Sequence, residues 1–394
     1  MYPDEEREGR RKYLLILGDG MADEPIEALG GQTPLEYAYT PHMDTIAREG
    51  RMGLLETVPD GFEPGSDIAN LSVLGYDPAL YYTGRGPLEA VSMGVDLTED
   101  DIAYRCNLVT VRNGVMEDFS SGHISSDEGK QLFESLQEAL PEVSLHPGIS
   151  YRNLLVLHHG RGGRSTPPHD IVGEEIEPYL PQGDDADILR RCMAVSEEVF
   201  AGHPVNSGRA RRGLPEATSI WPWSGGKTPS IPSFEKMFGL SGGMISAVDL
   251  LFGIARSARM ELIRVPGATG YLDTDYHGKI RYALDALKRL DFVYVHVEAP
   301  DEAGHLGSLE EKVKAIERLD EAIGIALDSF NGIICVLPDH PTPIRLKTHT
   351  RDPVPFAIIG KGRDDTRRYS EREAEKGSFG QIRGPDLLPL LFSE

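Results

Sequence analysis

Six metal-type side chains and one serine stand just past apolar stretches of this chain. Asp19 closely follows LLIL, Asp301 and His305 follow VYVHVE, and Asp339 and His340 follow IICVL. His349 comes nine residues after His340 on the loop IRLKTHT, and Ser66 lies in GFEPGSDIAN. A single aspartate after a strand ordinarily caps a turn; only the set together points to chemistry. Three carboxylates and three imidazoles converging on one edge suit two divalent ions. Mixed oxygen and nitrogen donors suit manganese or zinc better than magnesium. Two such ions could flank a phosphoryl group and lower the pKa of a serine hydroxyl, making it a nucleophile toward phosphorus. Other chemistries fare worse. GDGMAD at 18–23 lacks the third glycine of a dinucleotide fingerprint, and the chain has no P-loop.

Positioning these groups requires strands that end together. Residues 13–17 (YLLIL), 292–298 (FVYVHVE), 332–337 (GIICVL) and 354–359 (VPFAII) read as strands that are apolar along their whole length, with 53–58 a further candidate. Such strands, alternating with helices, predict a mostly parallel sheet covered on both faces, with a site at its carboxyl edge. Thr40-Pro41 opens a helix, 279–290 is amphipathic, and 309–329 carries Val313, Ile316, Leu319, Ile323 and Leu327 near helical spacing. Residues 244–258 also read as a helix. The middle differs in texture. It has short strand candidates at 107–111 and 154–157, a helix near 126–139, and Pro167-Pro168, Pro181 and WPWSGGKTP interrupting any regular pattern. The expected organisation is a catalytic α/β domain from 1–97 and 241–394, with a smaller α+β domain, 98–240, inserted as a substrate-binding lid.

Composition narrows the class. The chain has 394 residues, a net charge of −23, 40% hydrophobic and 26% charged residues. That is a globular balance, and the acidity argues against nucleic acid and anionic membranes as partners. The three cysteines, Cys106, Cys192 and Cys335, lack metal-cluster spacing and fit a reducing compartment. The apolar run after MYPDEEREGRRK is too short for a signal-peptide core, and no stretch of about 18 apolar residues is present. A cytoplasmic location is the expectation; a homo-oligomer is allowed.

LLILGDGMAD, PGSDIANLSVLGYDP, YTGRGPLEA, SSGHIS, EAPDEAGH and LPDHPTP…THTRDPVPF together resemble the archaeal-type cofactor-independent phosphoglycerate mutases. The resemblance covers nearly the whole chain, in order. It implies an alkaline phosphatase-like fold, a phosphoserine mechanism and two metal ions, manganese first, with magnesium or zinc as alternatives. By motif, Ser66 matches the phosphorylated nucleophile. Asp19, Ser66, Asp339 and His340 would hold one metal; Asp301, His305 and His349 would hold the other. His123 matches the histidine that contacts the transferring phosphoryl group or substrate. Arg152 and Asp170 match substrate contacts, and Arg85 is a weaker candidate beside a glycine turn. The implied substrate is a small phosphorylated anion, 3-phosphoglycerate or 2-phosphoglycerate.

One segment departs from that pattern. Residues 218–229, TSIWPWSGGKTP, stand where a basic, glycine-containing loop is more usual. A sister subgroup with a WPW-type segment has been proposed to act as an ATP-dependent homoserine kinase. A metal-dependent phosphatase is the third reading. Of the remaining residues, His296 reads as a core histidine and Arg209, Arg211 and Arg212 as a solvated basic cluster. Trp221 and Trp223 read as packing residues, His146, His158, His159, His203 and His277 as surface histidines, and Cys335 as core.

Overall fold

A computed structural model describes residues 10–393; the charged stretch MYPDEEREG lies outside the described residues. The chain divides into two compact units. One runs to Tyr82 and resumes at Ile231; the other is Thr83–Ser230.

The first unit is built on an eight-stranded sheet. Its strands are β1 (Tyr13–Gly18), β2 (Arg51–Glu56), β3 (Gly242–Ile245), β4 (Glu261–Leu262), β5 (Phe292–Val297), β6 (Ile333–Leu337), β7 (Val354–Ile359) and β8 (Gln381–Arg383). Their order across the sheet is β4-β3-β5-β1-β6-β7-β2-β8. Only β7 runs against its neighbours; the other pairings are parallel. Every residue of β1, β5 and β6 is buried, which is why these strands read as unbroken apolar runs. Register sets the working edge. Gly18 pairs with Val297 and Leu17 with Leu337, so the carboxyl ends of all three strands lie level. The residues just beyond them therefore emerge side by side.

Helices cover this sheet. Ser308 accepts from the Glu311 amide and caps the helix Leu309–Ser329, whose Ala315, Ile316, Leu319, Ala322, Ile323 and Ala326 are buried. Leu319 packs so close to β1 that a Cβ on Gly18 would lie 2.7 Å from its Cδ2. The helix Pro41–Glu49 starts on its proline and buries Met43, Ile46 and Ala47. The 244–258 reading needs correction: β3 occupies Gly242–Ile245 and the helix starts only at Asp249. The apolar run continues across the Ser246–Val248 turn and hides the change of period. There, Glu298 accepts from Ser246 Oγ and the Ala247 amide.

The second unit is α+β. Its longest strand, Ile102–Arg112, pairs antiparallel with Arg152–Leu157, Val115–Asp118 and Ser219–Gly226; Val143–Ile149 extends the sheet beyond Arg152–Leu157. The helices Ser126–Ala139 and Ala186–Phe200 bring Phe133, Leu136, Leu189 and Phe200 to a core that includes Tyr104, Leu108 and Trp221. The tryptophan segment is thus a strand, not an interruption. Pro222 lies opposite Cys106 on a strand paired along one side only, where a missing N–H is tolerated. Division at 82/83 and 230/231, earlier than the sequence junctions at 97/98 and 240/241, has a packing reason. The helix Arg85–Met93 packs Ala90 with Ala103, Leu154 and Val156 of this unit. Among the described residues, no helix is long and apolar enough to cross a membrane.

Leu319→Ala is expected to destabilise the first unit by about 2–5 kcal/mol, read as a lower urea midpoint. An unchanged midpoint would contradict the packing of this helix on β1.

Candidate functional site

Three strand ends of the first unit deliver the acidic and imidazole groups to one place. Asp19 follows β1, Asp339 and His340 follow β6, and β5 leads into the helix Ala299–Leu306, which carries Asp301 and His305 one turn apart. Asp19, Asp301, Asp339 and His340 are all nearly or wholly buried. His340 lies between the two sets. Its Nε2 is 3.5 Å from Asp19 Oδ1, 3.5 Å from Asp339 Oδ2 and 3.2 Å from Ser66 Oγ. Ser66 is the first residue of the helix Ser66–Val73, so its hydroxyl stands at a helix N-terminus, where negative charge is favoured. One turn on, Asn70 donates to the Ser66 carbonyl (2.8 Å) and to Asp339 Oδ2 (2.7 Å), and accepts from the Tyr294 hydroxyl. Asn70 was not singled out from the sequence. Its spacing of four from Ser66 on a short helix was the available signal.

The other set is tighter. Asp301 Oδ2 is 3.1 Å from His305 Nε2, Asp301 Oδ1 is 3.5 Å from His349 Nε2, and the two imidazole Nε2 atoms are 3.0 Å apart. His305 Nδ1 is 2.9 Å from the Lys347 carbonyl. A carbonyl only accepts, so Nδ1 carries a proton, and Nε2 is the nitrogen that would face a cation. Thr342 Oγ1 donates to Asp301 Oδ1 at 2.5 Å.

These groups fit divalent cations. Asp19 Oδ1 is buried without a hydrogen-bond partner. Burial, then the charges of Asp339 and Asp301, push the Asp19 carboxyl well above its usual range. Burial lowers His340 to about 4, which keeps it neutral and able to donate a lone pair. Two groups have donor atoms within 4.8 Å of one another: Asp301, His340 and His349, and Asp19, His296 and Asp339. The resemblance placed His340 with Asp19; the geometry puts it within reach of both sets. His296 is the other difference. It is fully buried, as a core histidine would be, but neither ring nitrogen makes a well-formed hydrogen bond, and Nε2 lies 3.2 Å from Asp19 Oδ2.

The remaining candidates lie in the second unit. Ser121, Gly122 and His123 are three successive residues at positive φ, a costly backbone for the two non-glycines. Asp118 holds the turn by accepting from the Ser120 and Gly122 amides, at 2.7 and 2.8 Å. Arg209 braces it from behind. It donates to the Ser121 carbonyl (2.5 Å), the Pro215 carbonyl (2.7 Å) and Glu128 (2.6 Å). Arg209 is 2% exposed, which corrects its reading as a solvated residue. The exposed His123 ring stands 5.8 Å from Tyr151, which Arg152 overlies at 5.2 Å. Tyr151 leads through Phe119 and His169 to Trp223, with ring separations of 5.6, 6.0 and 5.4 Å. Arg105 stacks on Trp223 at 4.4 Å and pairs with Glu89 at 3.0 Å, as Arg85 does at 3.4 Å. His123 and Arg152 are thus brought together on Tyr151. Asp170 is exposed and stands 3.6 Å from His169. Tyr151, His169 and Arg105 were missed, since single aromatic and basic residues in an irregular stretch carry no periodic signal.

A mostly parallel sheet whose carboxyl edge gathers carboxylates, imidazoles and a helix-borne serine defines a class, the metal-dependent α/β phosphoryl-transfer domains. The comparisons are more specific. Residues 47–206 match the family model described as 2,3-bisphosphoglycerate-independent phosphoglycerate mutase. A mutase of that name from Methanothrix thermoacetophila is 51% identical over 97% of this chain and 100% of its own. A Pyrococcus horikoshii protein of known structure is 34% identical with a TM-score of 0.83, each chain covered to 98%. The cofactor-independent phosphoglycerate mutase of Thermoplasma acidophilum is 27% identical with a TM-score of 0.67, over 97% of this chain and 98% of that one. The chain belongs to the 2,3-bisphosphoglycerate-independent phosphoglycerate mutase family.

In EDTA-treated protein, Mn2+ added at about 100 times its Kd should raise stability by about 2.7 kcal/mol. Differential scanning fluorimetry would register this as a higher Tm, and Asp19→Asn should lose most of the gain. A Tm indifferent to Mn2+ would contradict a cation site here.

Proposed function

We propose that the chain interconverts 3-phosphoglycerate and 2-phosphoglycerate through a phosphoserine at Ser66, using two divalent metal ions. The observation that carries this reading is Ser66 Oγ at a helix N-terminus, 3.2 Å from His340 Nε2 and within the carboxylate–imidazole cluster. Family membership supports the substrate pair. Asp19, Ser66, Asp339 and His340 would hold one ion and Asp301, His305 and His349 the other. Manganese suits the mixed donors best, with magnesium or zinc as alternatives. When bound, the ions supply positive charge that lowers the pKa of a serine hydroxyl and neutralises phosphoryl oxygens.

The chain's own residues do the rest. Ser66 Oγ attacks phosphorus as the bond to one glycerate hydroxyl breaks; that oxygen takes a proton, and the phosphoryl group rests on the serine. The N-terminus of the helix Ser66–Val73 favours the resulting dianion. Glycerate then presents its other hydroxyl, which loses its proton and takes the group back. No bisphosphorylated cofactor is required. Thr83–Ser230 would act as the substrate-binding lid, excluding water that would otherwise hydrolyse the phosphoserine. Within it, His123 would contact the transferring group, and Arg152, Arg85 and Asp170 the substrate. The setting we propose is cytoplasmic glycolysis or gluconeogenesis.

An enolase-coupled assay with 3-phosphoglycerate and Mn2+, without ATP, tests the reading. Activity is expected from the intact chain, and Ser66→Ala should lose at least about 10³-fold. Turnover that requires ATP and homoserine, or ends in free phosphate alone, would overturn the mutase reading. Full activity in Ser66→Ala would overturn the mechanism.

A further inference from the structure

A chain of buried polar and charged side chains runs from the helix Tyr276–Ala286 to Asp19. Lys279, on the helix Tyr276–Ala286, is fully buried; its Nζ donates to Glu298 Oε2 at 2.6 Å and to the His296 carbonyl at 2.8 Å. Glu298 follows β5 directly. Its Oε1 accepts from Ser246 Oγ (3.0 Å) and the Ala247 amide (2.9 Å), and lies 3.1 Å from His296 Nδ1. On the far side of the ring, His296 Nε2 is 3.2 Å from Asp19 Oδ2. All four side chains are at least nine-tenths buried.

Stability alone is a poor account of this arrangement. Removing two charges from water costs several kcal/mol each, and a buried ion pair is often no better than apolar residues of the same volume. Orientation is a better account. Glu298, fixed by Lys279, Ser246 and the Ala247 amide, stands 3.1 Å from His296 Nδ1, and Asp19 stands 3.2 Å from Nε2, so the ring is confined between two carboxylates, one of them anchored. A carboxylate behind a histidine, fixing its ring and tautomer, is the arrangement that tunes the donors of metal centres. The unpartnered Asp19 Oδ1 faces the other way, toward His340 Nε2 at 3.5 Å.

We infer that Lys279 and Glu298 are positioning residues. They lock the ring of His296 and, through it, hold Asp19 at one end of the metal centre. This rests on the two-ion reading above. It adds three residues, His296, Glu298 and Lys279, to those that determine how tightly one of the two ions binds.

Mn2+ binding by equilibrium dialysis, with free Mn2+ read by electron paramagnetic resonance, tests it. The intact chain should take up two equivalents. In Glu298→Gln, one equivalent should bind about 10–100-fold more weakly while the other is unchanged. That variant leaves Lys279 without its counter-charge, so the double variant Lys279→Met with Glu298→Gln removes both charges while keeping volume. It should show the same selective weakening. Two equivalents bound with the affinity of the intact chain by the folded double variant, whatever its Tm, would overturn the inference. Fewer than two equivalents in the intact chain would overturn the metal-centre reading, and this inference with it.

Discussion

Three aspartates buried at the ends of neighbouring strands are the constraint around which the first unit is organised. Two unit charges about 4 Å apart repel by about 4 kcal/mol at an effective dielectric of about 20, and burial adds to that cost. Part of the relief is built in. The Gly20 and His340 amides donate to Asp339 Oδ1, Asn70 donates to its Oδ2, and Thr342 donates to Asp301. The unpartnered Asp19 oxygen shows that the relief is incomplete. In the proposed centre, Asp19, Asp301 and Asp339 contribute −3 and two divalent ions +4, so a serine alkoxide closes the sum. The net charge of −23 then does not forbid an anionic substrate. It makes the cations the condition for accepting one.

Holding like charges together demands a frame that cannot relax. Parallel pairing supplies most of it, because the register that levels Gly18 with Val297 also levels the residues beyond. The loops are then tied to one another. Lys312 Nζ, fully buried, donates to the Ala22 carbonyl, Asp23 Oδ2 and the Thr342 carbonyl, at 3.1, 2.8 and 2.8 Å. It joins the loop after β1 to the loop after β6. Gly20 has no room for a side chain here: a Cβ would lie 2.5 Å from both Asp301 Oδ1 and Thr342 Oγ1. Buried lysine thus recurs behind two strand ends, with Lys279 behind β5 and Lys312 beside β1. In both cases it grips backbone carbonyl oxygen as well as a carboxylate, and so ties neighbouring segments together.

The legible parts of the molecule share a physical cause. Central strands covered on both faces must be apolar throughout, so β1, β5 and β6 stand out in the sequence, and carboxylates just past them mark the working edge. The helix Leu309–Ser329 was legible because its buried face repeats at helical spacing and Ser308 caps it. Failures arose where one signal masked another. The apolar run through Gly242–Ser257 fuses a strand and a helix. His296 sits inside a strand whose other residues are apolar, so its approach to Asp19 depends on a neighbouring strand. Arg209 lies among arginines that suggest solvent, yet its partners, Ser121 and Glu128, are more than 80 positions away.

The WPW segment shows what such long-range packing does to inference by motif. It was the one feature pointing to a different acceptor and to ATP. In the structure Trp221 is fully buried and donates to the Thr166 carbonyl at 2.9 Å. Trp223 is 5% exposed and donates to Asn107 Oδ1 at 3.0 Å. Both indoles are therefore spent on the core of the second unit, and the segment is a strand of its sheet. The buried indoles are packing groups. The segment's effect passes through what it supports: Arg105 stacked on Trp223, His169 at its edge, and the aromatic row that ends at Tyr151, Arg152 and His123. Exposed cationic and imidazole groups at the end of that row suit an anionic ligand. If His123 and Arg152 contact the substrate as proposed, the tryptophans act on it only by supporting the row those side chains stand on.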